Sequence, residues 1–255
     1  MGKLYFTGDT HSEFRRFTTE RFPQQYEMAK EDFVIICGDF GGIWDRIESQ
    51  KEKYWLDWLD EKPWTTLFVD GNHENFDRLK TYPVEEWHGG QVHRIRSSVF
   101  HLMRGEVFEF GDKKLFAFGG AASHDIQDGI LDGSNPQWRK MARQLTMAEK
   151  YSYRVEGISW WKEELPNEEE MERGLQNLKR CGNEVDYIVT HCPSGKMLSE
   201  LGVSEANRLT KYLDMLQDTV MYKHWYAGHV HKNRVLVDVR AIVLYNDIRA
   251  EEGGV

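Results

Sequence analysis

Three apolar runs near the start of the chain share one ending. Leu4 to Phe6 and Phe33 to Cys37 each lead into Gly-Asp, at Gly8-Asp9 and Gly38-Asp39. Thr66 to Val69 leads into Asp70-Gly71-Asn72-His73. Short uninterrupted apolar runs that stop at small and acidic residues predict buried strands feeding functional loops. Between them, Glu48 to Leu59 carries an apolar stripe of Tyr54, Trp55, Trp58 and Leu59 at helical spacing. Strand, loop, helix, strand in succession predicts parallel strands with loops gathered at their carboxyl ends, the edge where open α/β sheets bind ligands.

The pattern changes after Val92. Val92 to Arg96, Val99 to Leu102, Val107 to Phe110 and Lys114 to Phe118 are short strands with little between them, and the block reads as antiparallel β up to Gly119-Gly120. Residues 121–165 are irregular, with a helix expected from Pro136 to Tyr151. Another begins at Pro166-Asn167, where three glutamates suit a first helical turn. Tyr187 to Val189 repeats the strand-to-loop unit and runs into Thr190-His191. After a helix from Ser204 to Gln217, His224 to Ala227 leads to Gly228-His229-Val230-His231. Arg234 to Asp238 and Ala241 to Tyr245 close the pattern. There is no repeat, low-complexity tract or linker. We therefore expect one domain over 1–255, with an irregular and helical insertion at about 121–182.

Composition narrows the classes. A chain of 255 residues can bury roughly three quarters of its unfolded surface, enough for one large core. With a net charge of −9 it lacks the basic face that sequence-independent binding of extended nucleic acid needs. A small phosphorylated substrate is compatible, because bound cations would make the site itself positive. No apolar run reaches membrane-spanning length, and Met1 to Phe6 runs straight into a strand with no secretory leader. Cys37, Cys181 and Cys192 show no CxxC spacing and read as reduced thiols of a cytoplasmic protein. Cys192, beside His191, reads as a packing residue rather than a soft ligand.

The candidate chemistry lies in five segments: Asp9-Thr-His11, Gly38-Asp39, Gly71-Asn72-His73-Glu74, Thr190-His191 and Gly228-His229-Val-His231. Carboxylate, imidazole and amide oxygen together suit Mn, Fe or Zn better than Ca or a thiolate-seeking metal. One carboxylate can bridge two cations, and paired metals can clamp both the attacking and leaving oxygens of a phosphoryl transfer. Asp9 and His11, like His229 and His231, are alternate residues that an extended strand end presents on one side.

In these residues the chain resembles the calcineurin-like metallophosphoesterase superfamily, whose pattern is DxH, GD, GNH followed by Asp or Glu, H and GHxH. All five stand here in order, over positions 9 to 231. The resemblance implies an α/β fold: a two-sheet β-sandwich flanked by helices in four layers (αββα), with two divalent metals at the strand ends. It implies Asp9, His11 and His231 as ligands of one metal, Asn72, His191 and His229 as ligands of the other, and Asp39 as the bridge. It further implies direct attack on phosphorus by a metal-bridging hydroxide, with His73 stabilising or protonating the departing oxygen. Mn is the first expectation, with Fe or Zn as alternatives.

One element departs from the family. Members that dephosphorylate proteins read GDxxDRG, where the later Asp orients the catalytic His and the Arg binds phosphate. This chain reads Gly38-Asp39-Phe40-Gly41-Gly42-Ile43, so both helpers are missing. Glu74, Asp70 or a backbone carbonyl could orient His73 instead. A second likeness, to bacterial and phage members, rests on Gly119-Gly120-Ala121 and Gly157-Ile-Ser159-Trp160-Trp161-Lys-Glu163-Glu164, and implies no substrate.

Other residues carry weaker signals. Arg154 is the candidate phosphate-binding cation, since guanidinium forks match phosphate oxygens; a structural salt bridge is the equal alternative. His124, just after the double glycine, is a candidate substrate contact. Trp160 and Trp161 read as a plug of the sandwich edge rather than a stacking platform. Arg139, Lys140 and Arg143 read as a solvated helix face, and His88, His93, His101 and His224 as packing or surface residues. The expected function is a phosphoesterase acting on phosphodiesters or small nucleotide-type phosphates. The rivals are a nuclease on polymeric DNA or RNA, a serine/threonine protein phosphatase and a non-catalytic interaction module.

Overall fold

A computed structural model of the protein describes residues 2–251. Seven strands form a first sheet, in the order Ile248–Ala250, Leu4–Thr7, Phe33–Ile36, Thr65–Phe68, Val99–Leu102, Gly90–Arg96 and Val84–Trp87. Six form a second, in the order Arg234–Leu236, Ala241–Val243, His224–Ala227, Tyr187–Thr190, Lys113–Phe118 and Glu106–Phe110. Four central strands of each sheet run parallel, and the outer strands run antiparallel.

The period-two alternation of strand side chains decides the layering. Leu4, Phe6, Ile35 and Cys37 face the second sheet and pack with Leu115, Val189, Tyr226 and Ile242. Phe6 and Tyr226 stack across this interface at 3.7 Å between ring centres. Tyr5, Val34 and Ile36 face the other way, into an aromatic layer with Phe14, Phe40, Trp64 and the helix Gln50–Asp60. On the far side, Phe116, Ile188 and Trp225 lie under the helices Glu168–Arg180, Gly195–Glu200 and Arg208–Thr219. The result is the expected four-layer arrangement of two mixed sheets flanked by helices. Both faces of the central strands are covered, which is why their sequences are continuous apolar runs.

Local sequence sets the helix ends. Ser49 accepts from the Glu52 amide while the Glu52 carboxylate accepts from the Ser49 amide, so the first long helix starts at Gln50. Asn167 and Glu170 repeat the box for Glu168–Arg180, with acids in the first turn and Lys179-Arg180 in the last. The helix expected from Pro136 to Tyr151 spans only Trp138–Met147. It ends where Glu149 adopts φ 59°.

The region after Val92 requires a correction. Gly90–Arg96 and Val99–Leu102 do form an antiparallel hairpin, as do Glu106–Phe110 and Lys113–Phe118, but the two hairpins belong to different sheets. Val99–Leu102 joins Thr65–Phe68 in parallel, and Lys113–Phe118 joins Tyr187–Thr190 in parallel. The chain crosses between sheets through Gly105, at φ 81°, whose Cα packs against Gly174 in a space without room for a side chain. Four strands were not anticipated: Val84–Trp87, Gly129–Leu131, Tyr153–Val155 and Ile248–Ala250. Gly129–Leu131 and Tyr153–Val155 pair in parallel and carry Arg154 toward the sheet edge.

Candidate functional site

The five motifs converge at the carboxyl ends of the parallel strands of both sheets. Asp9 and His11 follow Leu4–Thr7, and Asp39 follows Phe33–Ile36. Asn72 and His73 follow Thr65–Phe68, His191 follows Tyr187–Thr190, and His229 and His231 follow His224–Ala227. Backbone bonds tie the loops together: the amides of Thr10 and His11 donate to the Asp39 carbonyl, and that of Gly228 donates to the His191 carbonyl. His11, Asp39, His229 and His231 all hold left-handed backbone conformations, at φ 44°, 43°, 70° and 50°. Side-chain-bearing residues rarely adopt these, and strain of this kind concentrates at functional sites.

Glycine is required where the loops touch. A Cβ on Gly71 would fall 2.0 Å from Asp39 Oδ1, and one on Gly228 would fall 2.3 Å from Asp9 Oδ1. The glycines of the GNH and GHxH segments thus let backbone press directly on the two carboxylates.

Asp9, His11, Asp39 and His231 form one cluster of potential metal ligands. Nε2 of His11 and Nε2 of His231 are 3.0 Å apart. His231 Nε2 lies 3.0 Å from Asp9 Oδ2, and His11 Nε2 lies 3.6 Å from Asp39 Oδ2. Asp9 Oδ2 is wholly buried without a hydrogen bond of normal geometry, which a protein tolerates only where something else compensates it. Burial opposes the Asp9 charge, but His191, His231 and the His229 amide outweigh it and hold the carboxyl down to about 2.

Beside this cluster, the His191 ring is fully buried. Its Nδ1 lies 2.9 Å from the Cys37 carbonyl, which can only accept, so Nδ1 carries a proton. Its Nε2 faces Asn72 Oδ1 and Asp39 Oδ1, both at 3.3 Å and both acceptors. Burial lowers the proton affinity of His191, but Asp39 and Asp9 reverse the shift and raise it. The carboxylates therefore draw positive charge to Nε2, where a proton and a metal ion would compete. Asn72 turns its amide nitrogen to Ser123 Oγ, leaving Oδ1 toward the site. The donor set of carboxylates, imidazoles and one amide oxygen fits Mn, Fe or Zn.

His73 lines the same opening. Its ring lies over Trp44, and its Nε2 is 3.4 Å from Arg154 Nη2. Neither Glu74 nor Asp70 orients it. Glu74 Oε1 accepts from the Phe40 amide, and Asp70 is held by His101 and Arg104. Arg154 forms the salt bridge that was one of its two alternatives: its guanidinium is gripped by Asp125 at 2.8 Å, and its Nη2 lies 3.4 Å from His73 Nε2. Ile43, which stands where protein phosphatases carry Arg, is buried in the aromatic layer and cannot reach a phosphate. Trp161 is buried, donates to Asp77 and packs edge-on to Trp44, which is the plug arrangement. Cys192 packs in the helix-covered core.

His124 lies at the edge of the site, 3.0 Å from His229 through their Nε2 atoms. Glu205 joins them from the loop before Arg208–Thr219; the pattern predicts a helix from Ser204 over it, and no motif spacing marks it as a site residue. Asp125 was also missed, as its role is visible only through its grip on Arg154. Glu164 is a third such residue: it accepts from the Ser123 amide, and burial pushes its carboxyl up to about 8.

The family model for calcineurin-like phosphoesterases matches residues 2–233. The chain belongs to the calcineurin-like phosphoesterase family. It is 22% identical over 144 residues to lariat debranching enzyme A of Xenopus laevis, a match covering 51% of this chain and 26% of that protein. The chain thus matches about a quarter of that relative's length. Among solved structures it is similar to a phosphopantetheinyl hydrolase of Mycobacterium tuberculosis, at 13% identity and TM-score 0.41, over 96% of this chain and 90% of that one. It is also similar to a 5'-nucleotidase described as putative from Staphylococcus aureus, at 16% identity and TM-score 0.45, over 95% and 48%. Similarities this low leave the family match to carry the assignment. Among the described residues, no helix is long and apolar enough to cross a membrane.

Proposed function

We propose that the protein is a metal-dependent phosphoesterase that hydrolyses phosphodiester or small nucleotide-type phosphates, with water as the direct nucleophile and no covalent enzyme intermediate. The observation that carries this is the convergence of Asp9, His11, Asp39 and His231 beside His191 and Asn72, with nitrogens and oxygens 3.0 to 3.6 Å apart. On this reading Asp9, His11 and His231 hold one divalent cation, Asn72, His191 and His229 hold the other, and Asp39 is shared. When bound, the cations supply an acidified water and positive charge against the phosphate oxygens.

The chain's own residues do the rest. Arg154, locked by Asp125, presents a guanidinium beside His73 and can share a phosphate oxygen. Burial first, and then the Arg154 charge, holds His73 down to about 4, so its ring is neutral at pH 7. A neutral ring stabilises a departing oxygen by hydrogen bonding; the negative charge of a bound phosphate would raise its proton affinity toward proton donation. A cleft of about 250 Å³ opens from His11 and His73 between Trp44 and Trp55, with Lys51 at its margin. It offers aromatic walls for the ester substituent. The absence of an exposed Arg at position 43 speaks against phosphoproteins, and the net acidic charge speaks against polymeric nucleic acid.

His73→Ala is expected to keep the metal content of the wild type while slowing turnover about 10²–10⁴-fold, the range for a lost acid–base group. The loss should be largest for esters with poor leaving groups. A His73→Ala protein emptied of metal would contradict this division of roles. The substrate class is tested by comparing a chromogenic phosphodiester with its monoester counterpart on Mn-loaded protein. Higher kcat/KM for the diester is expected; a monoester preference would overturn the proposed class.

A further inference from the structure

A second cluster of ligand-type atoms lies outside the set assigned above. Nε2 of His124, Nε2 of His229 and Oε2 of Glu205 are mutually 3.0, 3.2 and 3.3 Å apart. They come from three separate segments: the loop after Lys113–Phe118, the loop before Arg208–Thr219, and the loop after His224–Ala227. The Glu205 and His229 side chains are nearly buried, while His124 is 58% exposed.

Hydrogen bonding to an ionised Glu205 cannot satisfy this triangle. Each Nε2 carries at most one proton. If one ring donates to the other, the acceptor ring turns a lone pair toward the Glu205 oxygen. If both rings donate to Glu205, two N–H groups face each other at 3.0 Å. With Glu205 ionised, at least one of the three contacts is repulsive for every placement of the ring protons. A single cation above the triangle satisfies all three at once. A tetrahedral zinc ion, about 2.0–2.1 Å from each ligand, holds its ligand atoms about 3.3 Å apart.

We propose that His124, Glu205 and His229 form a third divalent-cation site, with the two-histidine, one-carboxylate ligand set found at catalytic zinc centres. His229 would serve both this site through Nε2 and the neighbouring pair through Nδ1. The fourth position opens on the exposed His124 side, where water or an anionic group of the substrate can bind. The ion would add positive charge on the flank where Asp125 holds Arg154.

The test is metal stoichiometry, which reads out independently of activity. Apo-protein dialysed against excess Zn²⁺ is expected to bind three ions per chain by elemental analysis. His124→Ala and the shape-preserving Glu205→Gln should each bind two. Co²⁺-substituted wild type should show the intense visible absorption of a four-coordinate ion, and His124→Ala should lose it. Two ions in both wild type and variants, or three in all, would overturn the third site. Because His124 is outside the ligand set of the proposed pair, two ions throughout would leave that pair intact.

Discussion

Asp39→Asn is expected to lose metal and activity together. Asp39 Oδ1 accepts the His73 amide at 2.9 Å and lies 3.3 Å from His191 Nε2, while Oδ2 faces His11. Its two oxygens face His191 on one side and His11 on the other, so it lies between the two halves of the site. The substitution changes almost nothing else. Asn matches Asp in shape and is among the few residues that tolerate the left-handed backbone found here, at φ 43°. The loops should therefore keep their geometry while the shared negative charge disappears. Removing even an outer partner of a metal ligand commonly costs 10–100-fold in affinity or activity, so losing the shared ligand should cost more than about 100-fold in each. Elemental analysis of the dialysed variant beside a phosphodiester assay checks this. Full metal content would remove Asp39 from its assigned role.

Arg104→Met is expected to destabilise the fold by about 3–5 kcal/mol, the usual cost of orphaning one member of a buried ion pair. Arg104 is buried and its Nε lies 3.0 Å from Asp70 Oδ2; it also reaches the Glu163 carbonyl and Glu170. Asp70 is buried too, and its backbone carbonyl accepts the Gly120 amide, joining the GNH loop to the double-glycine loop. Burial raises the Asp70 proton affinity, but Arg104 and His101 outweigh it and hold the carboxyl well below its ordinary range. A lowered folded-state value contributes stability above the unfolded value, about 3.9, and loses it as pH falls through the folded value. In the variant Asp70 keeps only His101 as a partner and instead takes up a proton on folding, so the deficit should shrink on acidification from pH 7 to pH 4. For a domain of this size the midpoint should fall by about 2–4 °C per kcal/mol. Thermal unfolding at both pH values checks the size and the sign. An unchanged midpoint would show that the pair contributes nothing.

The site was more legible in the sequence than the fold around it. Asp9, Asp39, Asn72, His191 and His229 each follow an apolar run, and a buried parallel strand announces its loop by stopping. The sheet assignment of the hairpins was hidden because Val99–Leu102 and Lys113–Phe118 are both short, largely apolar runs; only their long-range parallel pairings separate them. Ile248–Ala250 is a short edge strand, intermediate to exposed, with no apolar alternation to mark it. Glu205, Asp125 and Arg104 lay beyond sequence reasoning for one reason. Each acts through a partner distant in sequence, at His229, Arg154 and Asp70. Polar partnerships leave no periodic trace.

The central claim, that these loops make a metal-dependent phosphoesterase, is tested most directly by one assay of phosphodiester hydrolysis. The protein is assayed after chelation, after return of Mn²⁺, and as the Asp39→Asn variant with Mn²⁺. The account predicts no turnover after chelation, recovery with Mn²⁺, and none in the variant. Turnover that survives chelation, or that persists in Asp39→Asn, would contradict it.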